Sequence, residues 1–114
     1  MIRTLPHIAH TASNNFFLLA GPCVVEGEDI CFDIARHIKE ITDRLQIPFV
    51  FKGSFKKANR SRLDSFTGIG DRKALQILAD IREKLHVPVV TDIHTEADAV
   101  LAVEAMKFAV DKVC

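Results

Sequence analysis

A six-residue pattern occurs twice in this chain and constrains its fold more than any other feature. Leu45-Gln-Ile-Pro48-Phe-Val50 recurs as Leu85-His-Val-Pro88-Val-Val90. Each copy has the features of a helix end, a short turn and an apolar run that opens with proline, where the missing proline N–H is tolerated. The repeat therefore predicts two successive βα units, with strands at Pro48–Lys52 and Pro88–Asp92.

A third apolar run, Phe16-Phe-Leu-Leu-Ala20, lacks the alternation of a half-exposed strand. Uninterrupted apolar character is typical of a parallel strand that is covered on both faces. We therefore place the first strand of the sheet at Phe16–Ala20.

Helical patterns lie between these strands, because apolar residues recur there every three or four positions. The two sets are Ile30, Ile34, Ile38, Ile41 and Leu45, and Ala74, Leu78, Ile81 and Leu85. Asp71 stands at an N-cap position, and Thr95-Glu-Ala-Asp98 has the form of a capping box that opens a third helix. The order β-α-β-α-β-α predicts an α/β fold, and periodicity leaves open a doubly wound sheet or part of a barrel.

Composition narrows the class of protein. The chain has 114 residues, 15 Lys+Arg against 15 Asp+Glu, and 48% hydrophobic residues, which is typical of a globular domain rather than a disordered one. It has no apolar run of about 18 residues and no signal-peptide pattern, so we expect a cytoplasmic protein without a membrane partner. Three cysteines without CxxC spacing argue against a disulfide framework.

Polar or metal-capable residues follow all three predicted strands. The first strand leads into Gly21-Pro22-Cys23, the second ends in Lys52-Gly53-Ser54, and the third ends in Asp92-Ile93-His94. Parallel strands bring their carboxyl ends to one edge, where ligands bind in both candidate architectures. A single polar residue at a strand end often does no more than cap the next helix. Polar residues at all three strand ends are not required by hydrophobic packing, which favours a binding site at this edge.

The segment from Lys52 to Arg62 holds five Lys and Arg residues and no acidic one, in a chain whose formal net charge is zero. A solvated basic loop is the ordinary interpretation of charge alone. Ser54, Asn59 and Ser61 add hydroxyl and amide groups that suit phosphate and sugar oxygens. Nucleic acid is disfavoured as a partner because the basic residues are confined to one loop.

These motifs together resemble the 3-deoxy-D-manno-octulosonate 8-phosphate synthase family. The most specific part is Lys57-Ala-Asn59-Arg60-Ser61, with Gly21-Pro22-Cys23 before it and Thr91-Asp92-x-His94 after it. The related 3-deoxy-D-arabino-heptulosonate 7-phosphate synthases carry a Pro-Arg-Thr type of sequence at the central position.

The resemblance implies a transferase of lipopolysaccharide precursor synthesis that condenses phosphoenolpyruvate with arabinose 5-phosphate and releases phosphate. It implies Lys52, Lys57 and Asp92 as catalytic residues. It also implies substrate binding by Lys52, Ser54, Lys57, Asn59, Arg60, Ser61, Asp92 and His94. The two lysines resemble groups that hold phosphoenolpyruvate, whereas Asn59, Arg60 and Ser61 resemble binders of the sugar phosphate.

Cys23 distinguishes two subclasses of the resembled family. Members with cysteine at this position resemble the metal-dependent type, and the metal-independent type carries asparagine. The resemblance thus implies a divalent metal (Zn, Fe or Mn) held through Cys23 and no organic cofactor. Its other ligands are expected on later strands. Taken without the resemblance, Cys23 is more simply a small buried residue.

The resemblance extends from about Phe16 to Ala105 and implies the first three βα units of a (β/α)8 TIM barrel. We interpret residues 1–114 as one partial barrel domain, with a leader at 1–15, the βα units at 16–105 and an atypical end at 106–114. A complete barrel needs about 250 residues. We therefore expect a truncated form of a homo-oligomeric synthase, inactive alone. The alternatives are a non-catalytic α/β module that binds sugar phosphates, and the heptulosonate 7-phosphate synthase.

Overall fold

Strands and helices alternate along the chain in the computed structural model, which describes residues 5, 7–55 and 70–105. The elements are β1 (Leu18–Ala20), α1 (Glu28–Leu45), β2 (Phe49–Lys52), α2 (Asp71–Leu85), β3 (Val89–Val90) and α3 (Glu96–Ala105). The predicted β-α-β-α-β-α order is confirmed. Residues 106–114, interpreted above as an atypical end, lie outside the described part.

The three strands form one parallel sheet in the order β1-β2-β3. Leu18 lies opposite Phe49, and Ala20 opposite Phe51, while Lys52 pairs with Val90. The predicted α/β class with parallel strands is therefore confirmed. Sequential order in such a sheet brings the helices to one face when every crossover is right-handed.

The strands are shorter than the apolar runs predicted. Pro48 and Pro88 stand just before β2 and β3, and their carbonyls accept bonds from Leu18 and Phe51, both at 2.8 Å. Asp92 lies two residues beyond the end of β3, so its placement within the strand was wrong.

The first strand also differs from its prediction. Phe16 precedes β1 and is 69% exposed, and Leu19 within the strand is 53% exposed. Leu18 and Ala20 face the core. The expectation that β1 is covered on both faces is therefore wrong for the described residues, because only alternate side chains meet the helices.

Helix α1 buries a different stripe from the one predicted. Its buried residues are Cys31, Phe32, Ala35 and Thr42. Ile30 and Leu45, which belong to the apolar spacing that predicted this helix, are about half exposed. Ile34 and Ile38 pack at its margin. Burial raises the pKa of the Cys31 thiol, which keeps this cysteine protonated.

Helix α2 packs as its spacing predicts. Ala74, Leu78 and Ile81 are fully buried, and Leu85 packs at the edge of the core. Gly70 rather than Asp71 occupies the N-cap position, and Asp71 is the first helical residue. The predicted cap was therefore displaced by one residue.

The repeated pattern has the same backbone at both helix ends. Gln46 follows α1 with φ 56° and His86 follows α2 with φ 52°, both in the left-handed region. A residue in that conformation reverses the chain at the end of a helix and redirects it into a strand. The two copies therefore form equivalent α-to-β turns.

Residues 7–15 of the leader pack against the end of α1. The Asn15 side-chain amide donates to the carbonyls of Leu45 and Gln46 at 3.1 and 3.0 Å. His10 Nε2 lies 2.9 Å from Asp43 Oδ1. Among the described helices, none combines the length and apolar character needed to cross a membrane.

Candidate functional site

The carboxyl ends of β1, β2 and β3 meet at one edge of the sheet because the strands are parallel. Gly21, Gly53 and Thr91 are the first residues beyond the three strands. The predicted gathering of these strand ends is thus present in the fold. The side chains that follow determine what the edge can bind.

Lys52 is the last residue of β2 and projects away from the helix-packed face. Its neighbour Phe51 is fully buried in the core, and successive side chains of a strand point to opposite faces. The Lys52 ammonium donates to Ser54 Oγ at 3.0 Å. Ser54 is 4% exposed, so its buried hydroxyl fixes the position of a half-buried cation.

Asp92 and His94 form a pair on the neighbouring loop. His94 Nε2 lies 3.2 Å from Asp92 Oδ2. Burial opposes ionisation of Asp92, but the Ser54 hydroxyl, the backbone and the charges of Lys52 and His94 outweigh it. The pKa of Asp92 is therefore lower than usual. At neutral pH this group is a carboxylate.

One oxygen of Asp92 is unused within the described residues. Asp92 Oδ1 is buried and accepts no hydrogen bond of ordinary geometry there, although Ser54 is close enough to stabilise the charge. An unsatisfied buried oxygen is costly in a folded protein. The Ser54 hydroxyl offsets part of that cost, because it stabilises the Asp92 charge.

The first turn of α3 fixes this loop. Thr95 Oγ1 accepts from the Asp98 N–H at 3.1 Å, as the predicted capping box requires. Asp98 Oδ2 accepts from the backbone N–H of His94 at 3.0 Å. The loop is therefore tied to the helix on both sides of Thr95.

Gly21 permits close contact between the ends of β1 and β2. A Cβ atom at Gly21 would lie 1.7 Å from the backbone oxygen of Lys52. Real side chains do not tolerate such a distance, so this position requires glycine. The close approach also brings the segment that carries Cys23 beside the end of β2, where Lys52 lies.

Cys23 is exposed near the end of β1. It lines a cavity of about 220 Å³ together with Pro22, Val24, Glu26, Ile30, Cys31 and Ile34. An accessible thiol is a suitable donor for a borderline divalent metal. In the described part of the chain, however, no three His, Cys, Asp or Glu side chains gather as a metal site.

The structure thus brings together Lys52, Ser54, Asp92 and His94, which we call the strand-end cluster. Cys23 lies at the adjacent strand end. The predicted residues Lys57, Asn59, Arg60 and Ser61 lie outside the described residues.

The cluster combines a restrained cation, an ionised carboxylate and an imidazole. It can hold an anion at Lys52 and accept a hydrogen bond at Asp92. Asp98, which holds the backbone of His94, is not among the residues predicted for this cluster. The capping box predicted only the start of a helix. The bond from the His94 N–H to the Asp98 carboxylate is seen only in the structure.

The chain is similar to one known protein family and to several known proteins. A model of the DAHP synthetase I family matches residues 2–110. Three similar proteins are each named 2-dehydro-3-deoxyphosphooctonate aldolase. The protein of Paracidovorax citrulli is 59% identical over 83 residues, which are 73% of this chain and 29% of that protein.

The second relative, from Bordetella petrii, is 57% identical over 79 residues, covering 69% of this chain and 28% of the relative. The third, from a Cyanothece species, is 44% identical over 105 residues, covering 92% and 38%. The chain thus spans less than two fifths of the length of these curated relatives.

Proposed function

This chain belongs to the DAHP synthetase I family, and we propose that it forms part of the substrate site of a 3-deoxy-D-manno-octulosonate 8-phosphate synthase. The observation that carries the proposal is the strand-end cluster at the carboxyl edge of the sheet. The names of the three relatives support it. In this reaction phosphoenolpyruvate condenses with arabinose 5-phosphate.

The proposed chemistry forms one carbon–carbon bond and one carbon–oxygen bond from water, and it breaks the carbon–oxygen bond between C2 and the phosphate group. The enol carbon of phosphoenolpyruvate attacks the aldehyde carbon of the sugar, whose oxygen becomes a hydroxyl. Water adds to C2 of the phosphoenolpyruvate unit, and inorganic phosphate leaves. Both substrates are anions, so the site must hold negative charges close together before reaction.

Lys52 is the proposed anchor for phosphoenolpyruvate. A cation about 4 Å from an anionic oxygen gains roughly 4 kcal/mol at an effective dielectric near 20. The Ser54 hydroxyl holds the ammonium at 3.0 Å, which reduces the freedom lost when ligand binds. We assign Ser54 as a second contact to the same anion.

Asp92 and His94 are the proposed contacts for the aldehyde end of the sugar. Asp92 would accept a hydrogen bond from a sugar hydroxyl through its ionised carboxylate. His94, whose Nε2 lies 3.2 Å from Asp92 Oδ2, would donate a proton or hydrogen bond to the developing alkoxide. Lys57, Asn59, Arg60 and Ser61 complete the proposed site, with Lys57 on phosphoenolpyruvate and the other three on the sugar phosphate.

We further propose that the three βα units belong to a (β/α)8 barrel. Sequential strand order, with α1 and α2 packed on the same core as alternate strand residues, is the arrangement of such a barrel. The opposite face carries Leu19 and Lys52, as the interior of a barrel would require. A homo-oligomeric assembly and a cytoplasmic location are proposed from the family resemblance.

Cys23 is the proposed single ligand that this chain contributes to a divalent metal, Zn, Fe or Mn. Its exposed thiol suits the role, and further ligands must come from elsewhere. When bound, such a metal would supply Lewis-acid polarisation of the aldehyde or activation of water. Lys52, Ser54, Asp92 and His94 bind and orient the substrates in either case.

A non-catalytic module that binds phosphate-bearing anions is the second candidate. This candidate is favoured because both partners of the Lys52–Ser54 contact lie within the described residues. The two candidates differ in turnover and share anion binding at Lys52. A phosphate-release assay with both substrates therefore separates them, and we expect the 114-residue chain alone to give no turnover.

The binding test uses phosphoenolpyruvate and the 114-residue chain, followed by NMR or calorimetry. Lys52→Met should weaken binding at least tenfold, about 1.4 kcal/mol. Lys39→Met is the matched control, because it removes a lysine at the opposite end of the fold. Equal affinity in the two variants would exclude Lys52 as the anchor.

In a protein of the relatives' full length, Lys57→Ala and Arg60→Ala should each lower kcat/KM at least tenfold. Cys23→Asn should change the dependence of activity on metal more than it changes the thermal midpoint, because the two side chains differ little in volume. An enzyme with native Cys23 that stays fully active after verified metal removal would refute the ligand assignment.

A further inference from the structure

The buried carboxylate of Asp98 makes an unusual bond for its position. Asp98 is 3% exposed and stands in the first turn of α3. In a capping box the third helical side chain returns to the N–H of the N-cap residue, here Thr95. Asp98 Oδ2 accepts from the N–H of His94, one residue earlier than the N-cap, at 3.0 Å.

This bond acts on the residue that pairs with Asp92. His94 is exposed and lies in the loop of residues 91–95 between β3 and α3, where no regular secondary structure restrains it. Its imidazole nevertheless lies 3.2 Å from Asp92 Oδ2. A charge-assisted bond to the backbone of His94 restrains where that imidazole can lie.

We propose that Asp98 is a positioning residue, which holds the backbone of His94 so that its imidazole stays on the Asp92 carboxylate beside Lys52. The role rests on the proposed function only in that the Asp92–His94 pair serves the substrate site. Site geometry must be held within about 0.5 Å for efficient chemistry, and supporting hydrogen bonds provide that restraint.

The competing explanation is that Asp98 only stabilises the start of α3. A negative side chain in the first turn interacts favourably with the helix dipole. That role would not require a particular position of the His94 ring. The two explanations therefore differ in what happens to Asp92 when Asp98 is replaced.

The sign of a pKa change separates them. Lys52 and His94 are the cations that act on Asp92, and Asp98 is the nearby acidic group of the next helix. Removing a negative charge at Asp98 lowers the pKa of Asp92 through electrostatics alone. Loss of the His94 imidazole from Asp92 raises that pKa, because a favourable cation is withdrawn.

The experiment is a carboxyl ¹³C NMR titration of Asp92 in the 114-residue chain, without substrate. Asp98→Ala should raise the pKa of Asp92 above its value in the unmodified chain. Asp98→Asn keeps an oxygen that accepts from the His94 N–H, so it should leave the pKa unchanged or lower it. Thr95→Val removes only the cap hydroxyl and should lower thermal stability without raising the pKa.

An unchanged or lower pKa in folded Asp98→Ala would overturn the proposal, as would an equal rise in Thr95→Val. If Asp98→Ala does not fold, Asp98→Ser replaces it, because the shorter hydroxyl does not reach His94 and serine is tolerated at helix starts. The same rise is expected there. The titration contains no substrate, so its outcome does not depend on whether the chain binds phosphoenolpyruvate. Failure of this proposal and failure of the proposed function can therefore be distinguished.

Discussion

At each end of the sheet an aspartate lies near a histidine and a lysine, but the two aspartates differ in their hydrogen bonds. At the amino end, Asp43 lies 2.9 Å from His10 and 2.7 Å from Lys39. At the carboxyl end, Asp92 lies 3.2 Å from His94 and is also influenced by Lys52. Each carboxylate thus has one histidine and one lysine as neighbours.

The difference lies in how completely each carboxylate is used. In Asp43, Oδ1 meets His10 and Oδ2 meets Lys39, so both oxygens have partners within the chain. In Asp92, Oδ1 is buried and has no such partner in the described residues. Within the described residues, the same residue types therefore use both carboxylate oxygens at one end and leave one oxygen without a hydrogen bond of ordinary geometry at the other.

The largest effect is expected from Gly21→Ala, which disrupts the carboxyl edge. Its Cβ would lie 1.7 Å from the Lys52 backbone oxygen, so β1 and β2 must separate. We expect a loss of about 3 kcal/mol or more in unfolding free energy, measured by urea denaturation. Gly27→Ala is the control, because its Cβ meets only Ile30 at 3.8 Å and its φ of −178° suits any residue.

A second comparison replaces each aspartate with asparagine. Asp43→Asn should lower the unfolding free energy by about 0.5–1 kcal/mol, since it weakens two largely exposed ion pairs. Its affinity for phosphoenolpyruvate should stay unchanged. Asp92→Asn should change the affinity or its pH dependence more than the stability, and the opposite pattern would contradict the distinction between the two ends.

The acid dependence of stability follows from the same two groups. For Asp43, burial opposes ionisation, but bonds and charges from Lys39 and His10 outweigh it and hold the pKa below its usual value. The pKa of Asp92 is also lowered. A depressed folded-state pKa stabilises the fold above the unfolded value, about 3.9, and that stabilisation is lost as pH falls through the folded-state pKa.

Urea denaturation at a series of acidic pH values should therefore show stability declining below about pH 4. Asp43→Asn should flatten part of this decline. An unchanged slope in that variant would show that the His10–Asp43–Lys39 contact is not formed in solution.

The smallest effect is expected at the leader. Asn15→Ala removes two exposed hydrogen bonds to the end of α1 and should cost about 0.5–1 kcal/mol. Amide exchange of residues 7–15 should accelerate while that of β2 stays unchanged. Equal acceleration in both segments would mean that the leader and the sheet open together.

The order of elements and much of the cluster could be predicted because they depend on local patterns. The repeated Pro48 and Pro88 runs determine two strands, and parallel pairing then brings Lys52 and Asp92 to one edge. The core face of α1 could not be predicted as well. Its isoleucines are spaced regularly, but Phe32 and Ala35 rotate the buried stripe, which leaves Ile30 exposed.

Two other features needed the structure. The tie between Asp43 and His10 joins residues far apart in the sequence, so no local pattern indicates it. The bond from His94 to Asp98 depends on where the loop places one backbone N–H. Lys57, Asn59, Arg60 and Ser61 remain predictions from the family resemblance.

The alternation of β2 has a consequence for how the protein can fail. Phe51 and Lys52 occupy opposite faces, so slipping the strand by one residue would bury the ammonium among the helices and expose the phenyl ring. The same strand register therefore buries Phe51 in the core and places the Lys52 ammonium on the opposite face. Under the proposed role of Lys52, retained anion binding by a variant would thus report that its sheet has assembled in the right register.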